Sequence, residues 1–252
     1  MKLLLLISTM CFLTMTTSAQ KGEYKVNHSQ GTLILSGLDD VEVIGYDGTE
    51  VIFQIDDYDE ETDERAAGLK IINSLGLDDN SGLGLSVEKE GSTVTATQIA
   101  SSCDSEFHVK VPRGLSVEYE HSTNQGGDVS VENVTGEIVI STSYGDVYLE
   151  NVTGPMAIKS VYGSIEAVFE SVSQTGSISL HSVYDLIDVT LPAATNADID
   201  LKTPWGQIYS NMDIQVSDSG RMTQKAVSGS LNSGGVEIDL KSGYDNIYLR
   251  KK

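Results

Sequence analysis

Four aromatic residues stand in equivalent surroundings along this chain: Ser143-Tyr144-Gly145, Val161-Tyr162-Gly163, Val183-Tyr184-Asp185 and Pro204-Trp205-Gly206. They recur at steps of 18, 22 and 21 residues. A chain that coils once per step would set Tyr144, Tyr162, Tyr184 and Trp205 in one column. An exposed column of rings offers flat apolar faces with polar edges, which suits the CH surfaces of sugars. The plainer alternative is that the rings stack on one another at a corner and seal the interior. A second column, four residues before each turn, holds Ser141, Lys159, His181 and Lys202. Its cations could receive an anion or could form a solvated face.

Carboxylates are the other candidate chemistry. The run from Asp56 to Glu64 places seven acids in nine residues. Within it Asp56, Asp57, Asp59 and Glu60 are hard oxygen donors of the kind that hold Ca²⁺ at the millimolar levels found outside cells. The run lacks the Asp-x-Asp-x-Asp-Gly spacing of an EF-hand, and a solvated charged loop is the simpler reading. No cofactor is expected beyond this candidate Ca²⁺. His28, His108, His121 and His181 are not paired at metal-ligand spacing, so no zinc site is expected. Cys103 lies beside Asp104, whose charge disfavours a reactive thiolate.

Catalytic signatures are missing. There is no Gly-x-Ser-x-Gly elbow, phosphate-binding loop or Cys/His dyad. Between residues 127 and 215 the only basic residues are Lys159 and Lys202, too few to bind a polyuronate and acidify its α-proton. The expectation is a protein that is not an enzyme. A hydrolase of neutral glycans working through two carboxylates is the catalytic alternative, because carboxylate separation is not legible in sequence.

Charge and the N-terminus bound the partners. The 252 residues carry 16 Lys plus Arg against 37 Asp plus Glu, a net charge of −21. Such a chain repels phosphate backbones and anionic headgroups, so no nucleic-acid partner is expected. Lys2, the apolar run Leu3-Leu4-Leu5-Leu6-Ile7 continuing to Leu13, and the small-residue end at Thr17 and Ala19 read as a secretory signal peptide over residues 1–19. Its removal leaves a net charge of −22 and Cys103 as the sole cysteine, so no internal disulfide. No later segment approaches 18 apolar residues, so the protein is not expected to span a membrane. Export to the periplasm, cell surface or extracellular space follows.

The elements that must position these residues are repeated. Gly127, Gly136, Gly145, Gly154 and Gly163 are each nine residues apart. The ten residues from Gly127 to Gly136 return from Gly145 to Gly154 with eight identities. Each unit is a short alternating strand closed by Gly or by Asn-Val-Thr-Gly. A fixed period near twenty with two strands per unit is the signature of a solenoid, whose rungs depend on their neighbours for stability. The expectation is an all-β chain in which residues 20–252 form a single elongated parallel β-solenoid, right-handed by preference, with rungs of about 18–22 residues. Residues 121–252 are regular and 20–120 less so. In the earlier part, strands are expected at Thr32–Gly37, Val41–Gly45, Val51–Ile55, Leu85–Glu88, Thr93–Ala96 and Phe107–Val111. Ala66, Leu69 and Ile72 suggest a short helix or loop excursion over 60–75. The final Lys241–Leu249 segment closes the series in a shifted form.

The tandem Gly-Asp-Val strands, the Ser-Tyr-Gly-Asp-Val unit, the Val111-Pro112-Arg113-Gly114-Leu115-Ser116-Val117 step and the terminal Asp245–Lys252 segment resemble the bacterial adhesin family of secreted β-strand-repeat proteins, the DUF4097 type. The resemblance covers roughly residues 25–252. It implies one β-solenoid, a location at or beyond the cell envelope, and binding of a surface glycan or envelope protein. It supplies no catalytic residues, since its motifs are structural. The functional expectation is an exported, non-catalytic, adhesin-like β-solenoid. A structural or regulatory envelope protein without a ligand is the alternative, and a polysaccharide-active β-helix enzyme the third.

Overall fold

Inward and outward side chains alternate along nearly every strand of the protein. In Ile187–Leu191, Ile187, Val189 and Leu191 are buried while Asp188 and Thr190 are half-exposed. This period of two is what a strand adopts when one face covers a core and the other meets water. The computed structural model describes residues 22–55, 65, 69, 72–99, 106–124, 126–217 and 225–252. The leader, the acidic run with Asp56, Asp57, Asp59 and Glu60, and Cys103 lie outside the described residues, as does most of the 60–75 segment.

In chain order the strands are β1 (Gly22–Asn27), β2 (Thr32–Ser36), β3 (Asp40–Tyr46), β4 (Glu50–Ile55), β5 (Leu85–Glu90), β6 (Thr93–Gln98) and β7 (Glu106–Pro112). Then come β8 (Ser116–His121), β9 (Val129–Glu132), β10 (Ile138–Thr142), β11 (Val147–Val152), β12 (Met156–Ser160), β13 (Ile165–Phe169) and β14 (Ile178–Ser182). The last are β15 (Ile187–Leu191), β16 (Ala197–Lys202), β17 (Ile208–Ser210), β18 (Ile214–Val216), β19 (Ala226–Leu231), β20 (Val236–Ser242) and β21 (Ile247–Lys251). Among the described residues there is no α-helix, hence none long and apolar enough to cross a membrane.

The strands form two mixed sheets. The first runs β1-β4-β7-β3-β9-β11-β13-β15-β21-β17, the second β18-β19-β16-β20-β14-β12-β10-β8-β2-β6-β5. From β8 to β17 the chain steps alternately between them, and from β8 to β15 strands two apart in sequence pair in parallel. Val129 sits beside Val147 and Val147 beside Ile165, while Ile138 sits beside Met156. These contacts are the eighteen-residue repeat turned into a ladder. Buried columns result, such as Val129, Val147, Ile165, Ile187 and Ile247, all within one continuous core shared by both sheets. Each such side chain contributes roughly 1.5–3 kcal/mol by leaving water. The 22-residue step is accommodated by the longer connection 170–177 between β13 and β14.

Two features depart from a purely parallel coil. Antiparallel pairs occur toward both ends: β1 with β4, β4 with β7 and β5 with β6 at one, β16 with β19 and β18 with β19 at the other. Sequence order and rung order also part company. The final strands β20 and β21 do not stack on the end but insert between β14 and β16 and between β15 and β17. The closing strands thus have neighbours on both sides instead of forming an unpaired edge. At the opposite end β2 and β3 are likewise inserted, between β6 and β8 and between β7 and β9.

Candidate functional site

The corner where the second sheet passes to the first is built from a four-residue unit. Its first member is a buried hydroxyl: Thr142, Ser160, Ser182, Ser242 or Thr203. Ser160 Oγ accepts from Gly163 N at 2.9 Å, Ser182 Oγ from Asp185 N at 3.1 Å, Ser242 Oγ from Asp245 N at 3.0 Å and Thr203 Oγ1 from Gly206 N at 2.9 Å. Three of these hydroxyls also donate to the neighbouring rung. Ser182 reaches Gly163 O at 3.1 Å, Ser242 reaches Asp185 O at 3.0 Å and Thr203 reaches Asp245 O at 2.8 Å. Side chains of this type compete well for local main-chain groups, so they fix turns. Rungs approach so closely here that a Cβ on Gly163 would lie 1.8 Å from Gly145 O, which only glycine avoids.

The third member of each unit is the aromatic residue, turned out to solvent. Tyr144 and Tyr162 stack at 4.9 Å between ring centroids, Tyr162 and Tyr184 at 4.9 Å, and Tyr184 and Tyr244 at 5.1 Å. Trp205 follows Tyr244 at 6.4 Å with the planes 6° apart. The four residues singled out in the sequence thus share one column, but Tyr184 and Trp205 are not neighbours. Tyr244 stands between them because β20 and β21 are inserted there. Its unit, Ser242-Gly243-Tyr244-Asp245, is legible in sequence, whereas the place of its rung is not.

Stacking decides which ring surfaces are left open. Inner rings have both faces covered and present edges and hydroxyls. Tyr144 and Trp205 close the column, and each keeps one face outside it. Exposure rises from 39% at Tyr144 to 71% at Trp205. A shorter stack, Tyr209 on Tyr248 at 5.2 Å, lies on the outer face of the first sheet, with Arg250 Cζ 5.3 Å from the Tyr248 centroid.

The cation column also gains a member. Ser141, Lys159, His181, Lys241 and Lys202 follow one another in register. Asp239 takes Lys241 and His181, and Asp200 takes Lys202, so this row is largely neutralised by its own sheet. Burial pushes the Asp239 carboxyl up, but the hydrogen bonds from Lys241 and His181 outweigh it and hold the pKa below the ordinary value.

The Gly-Asp repeats are structural. Asp40 Oδ1 accepts from Asp128 N at 2.8 Å, Asp128 Oδ1 from Asp146 N at 2.7 Å and Asp146 Oδ1 from Ser164 N at 2.6 Å. Burial, with the hydrogen bond to Asp146 added, pushes the Tyr148 hydroxyl up to about 12. Tyr148 lines a shallow acidic groove on the first sheet with Glu42, Glu132, Glu150 and Glu166. One grouping escaped sequence reasoning: Glu42, Glu106 and His108 converge on this face. Only the Glu106-x-His108 spacing signals it, since pairing with Glu42 depends on the inserted β3.

No curated protein matches the sequence. Among solved structures, a "putative cell adhesion protein" from Clostridium sporogenes superposes with a TM-score of 0.48 at 12% identity, covering 92% of this chain and 100% of that one. A "putative adhesin" from Bacteroides fragilis gives 0.42 at 12% identity, covering 93% of this chain and 98% of that one. The family model described as Toastrack DUF4097 matches residues 70–250, a span that takes in β5 to β20 and every ring of the corner column. With most of its length matched, the chain belongs to the Toastrack DUF4097 family.

Proposed function

We propose that this is an exported, non-catalytic, adhesin-like protein that binds a glycan or protein at the bacterial envelope through its aromatic corner. One observation carries the reading: five stacked rings, Tyr144, Tyr162, Tyr184, Tyr244 and Trp205, stay 39–71% exposed. The same chain buries Tyr119, Phe53, Phe107 and Phe169 completely. Contiguous exposed apolar surface on a soluble protein marks an interaction site. The open face of Trp205 suits a sugar ring, and the inner edges offer hydroxyls at rung spacing. The corner's buried hydroxyls are committed to main-chain bonds and not held as an acid–base pair, in keeping with a binding role. Export is read from residues 1–19. The scaffold is taken as one right-handed parallel β-solenoid over 20–252, modified at its ends.

A second reading is a structural or regulatory envelope protein without a ligand, favoured by the mutual covering of the inner ring faces. A screen of the purified protein against a broad glycan array and envelope extracts separates the two. Binding that is lost in a folded Tyr162→Ala/Tyr184→Ala variant, or in Trp205→Ala, makes the column a site. Failure of the wild type to bind any glycan or envelope component refutes the binding role and leaves the structural one.

A further inference from the structure

The outer face of the first sheet gathers a donor set that the aromatic corner does not use. Glu42 on β3 and His108 on β7 are register partners, and Glu106 lies two residues before His108 on the same face. His108 Nδ1 and Glu42 Oε2 are 2.7 Å apart. One ligand atom from each of Glu42, Glu106 and His108 falls within 4.8 Å of the others. We propose that these three side chains bind a first-row divalent transition metal, with Zn²⁺ as the representative ion.

Three considerations support the assignment. The set is mixed, two carboxylates and an imidazole, and an imidazole donor favours Zn²⁺ and its neighbours over Ca²⁺ or Mg²⁺. The dimensions fit as well. Ligands about 2.0–2.2 Å from one ion stand roughly 3–4 Å apart, which rotamer adjustments on the order of an ångström would reach from the present positions. Lastly, the charge is left over. Glu106 faces Asp40 directly across the strands, and Asp40 in turn accepts from Asp128 N, just before β9. Like charges in register destabilise a sheet, and among the described residues no lysine or arginine forms an ion pair with Glu42 or Glu106. A bound dication offsets that repulsion. The parallel strands hold Glu42 and His108 half-buried, at 33% and 22% side-chain exposure, so two of the three donors are positioned before the ion arrives.

The test is Zn²⁺ binding by the purified protein, followed by calorimetry in millimolar Mg²⁺ to occupy non-specific carboxylates. The expected result is one saturable Zn²⁺ per chain. Glu106→Gln and His108→Ala should each weaken it more than about tenfold, at least the loss typical of disturbing a metal's outer contacts. Glu237→Gln, an exposed acid on the other sheet, should leave it unchanged. Glu106 is exposed and, among the described residues, without an ion pair, so its glutamine variant tests the site without endangering the fold. Zn²⁺ uptake that does not saturate at one site, or that both variants retain at wild-type strength, overturns the proposal.

Discussion

Removing two adjacent rings from the corner column should cost less than the two removals measured separately. Tyr162 stacks on Tyr144 and Tyr184, and Tyr184 stacks on Tyr162 and Tyr244, at 4.9–5.1 Å. A stacked aromatic pair is worth about 0.5–1.5 kcal/mol beyond its buried area. Tyr162→Ala and Tyr184→Ala each lose two pairs, so each should destabilise by about 1–3 kcal/mol. The double variant loses three distinct pairs, because the Tyr162–Tyr184 pair is common to both. Its destabilisation should fall short of the sum by about 0.5–1.5 kcal/mol. Tyr144→Ala and Tyr244→Ala share no pair and should add within about 0.3–0.5 kcal/mol. Urea unfolding measures all of these, provided the slopes agree and the differences lie in the midpoints. Additivity of Tyr162→Ala and Tyr184→Ala within about 0.3 kcal/mol would refute the claim that the rings hold one another. The same double variant serves the binding screen, so its lowered stability also fixes the temperature at which that screen is valid.

Two further measurements probe the scaffold. Ser182→Ala removes a buried hydroxyl that accepts from Asp185 N and donates to Gly163 O. It should cost about 2 kcal/mol through the orphaned main-chain groups, whereas Ser141→Ala, exposed on the same sheet, should stay within about 0.5 kcal/mol of wild type. Equal urea midpoints for the two would sink the hydroxyl-ladder argument. For Asp239, whose carboxyl is held below its ordinary pKa, the folded state gains stability that is present above the unfolded pKa and lost as pH falls through the folded value. The advantage of wild type over Asp239→Asn should therefore shrink below about pH 4, and a gap that is constant from pH 7 to pH 3 would contradict it.

Local patterns in this chain were legible because they answer to local physics. Alternation located β2, β3, β4, β6 and β7, and the Gly-to-Gly period set the register of β9 to β13, since an eighteen-residue step has a single way to pair in parallel. The aromatic column was legible for the same reason. What remained hidden is non-local. The sequence separation of Tyr184 and Trp205 reads as one rung, yet β21 lies between their rungs, and no spacing rule announces an insertion made by the last strands of the chain. Pairing of Glu42 with His108 was hidden likewise, because β3 pairs with β7 across 66 residues. Antiparallel ends follow from edge physics, not from the repeat, so the repeat could not announce them.

The corner separates what its turns need from what they carry. Four of the five turns are closed by the hydroxyl at the first position and the main-chain N–H three residues on, and in the fifth Thr142 Oγ1 donates to Tyr144 O. None of those bonds involves the ring. Parallel strands about 4.8 Å apart would also bring any side chains at that position to nearly the 4.9–5.1 Å observed between the tyrosines. Ring spacing is thus imposed by the backbone, and polar residues would satisfy the turn equally well. Yet all five successive corners from Thr142 onward place a ring in solvent. Stacking recovers part of the cost of that exposure for the inner rings. It recovers least for Trp205, which at 6.4 Å from Tyr244 is both the most loosely stacked and, at 71%, the most exposed. If the column served only to stabilise the corner, the largest ring would gain most from an inner place. Under the proposed binding role, a tryptophan at the open end offers its free face to a ligand, and Trp205→Ala should therefore affect binding far more than stability.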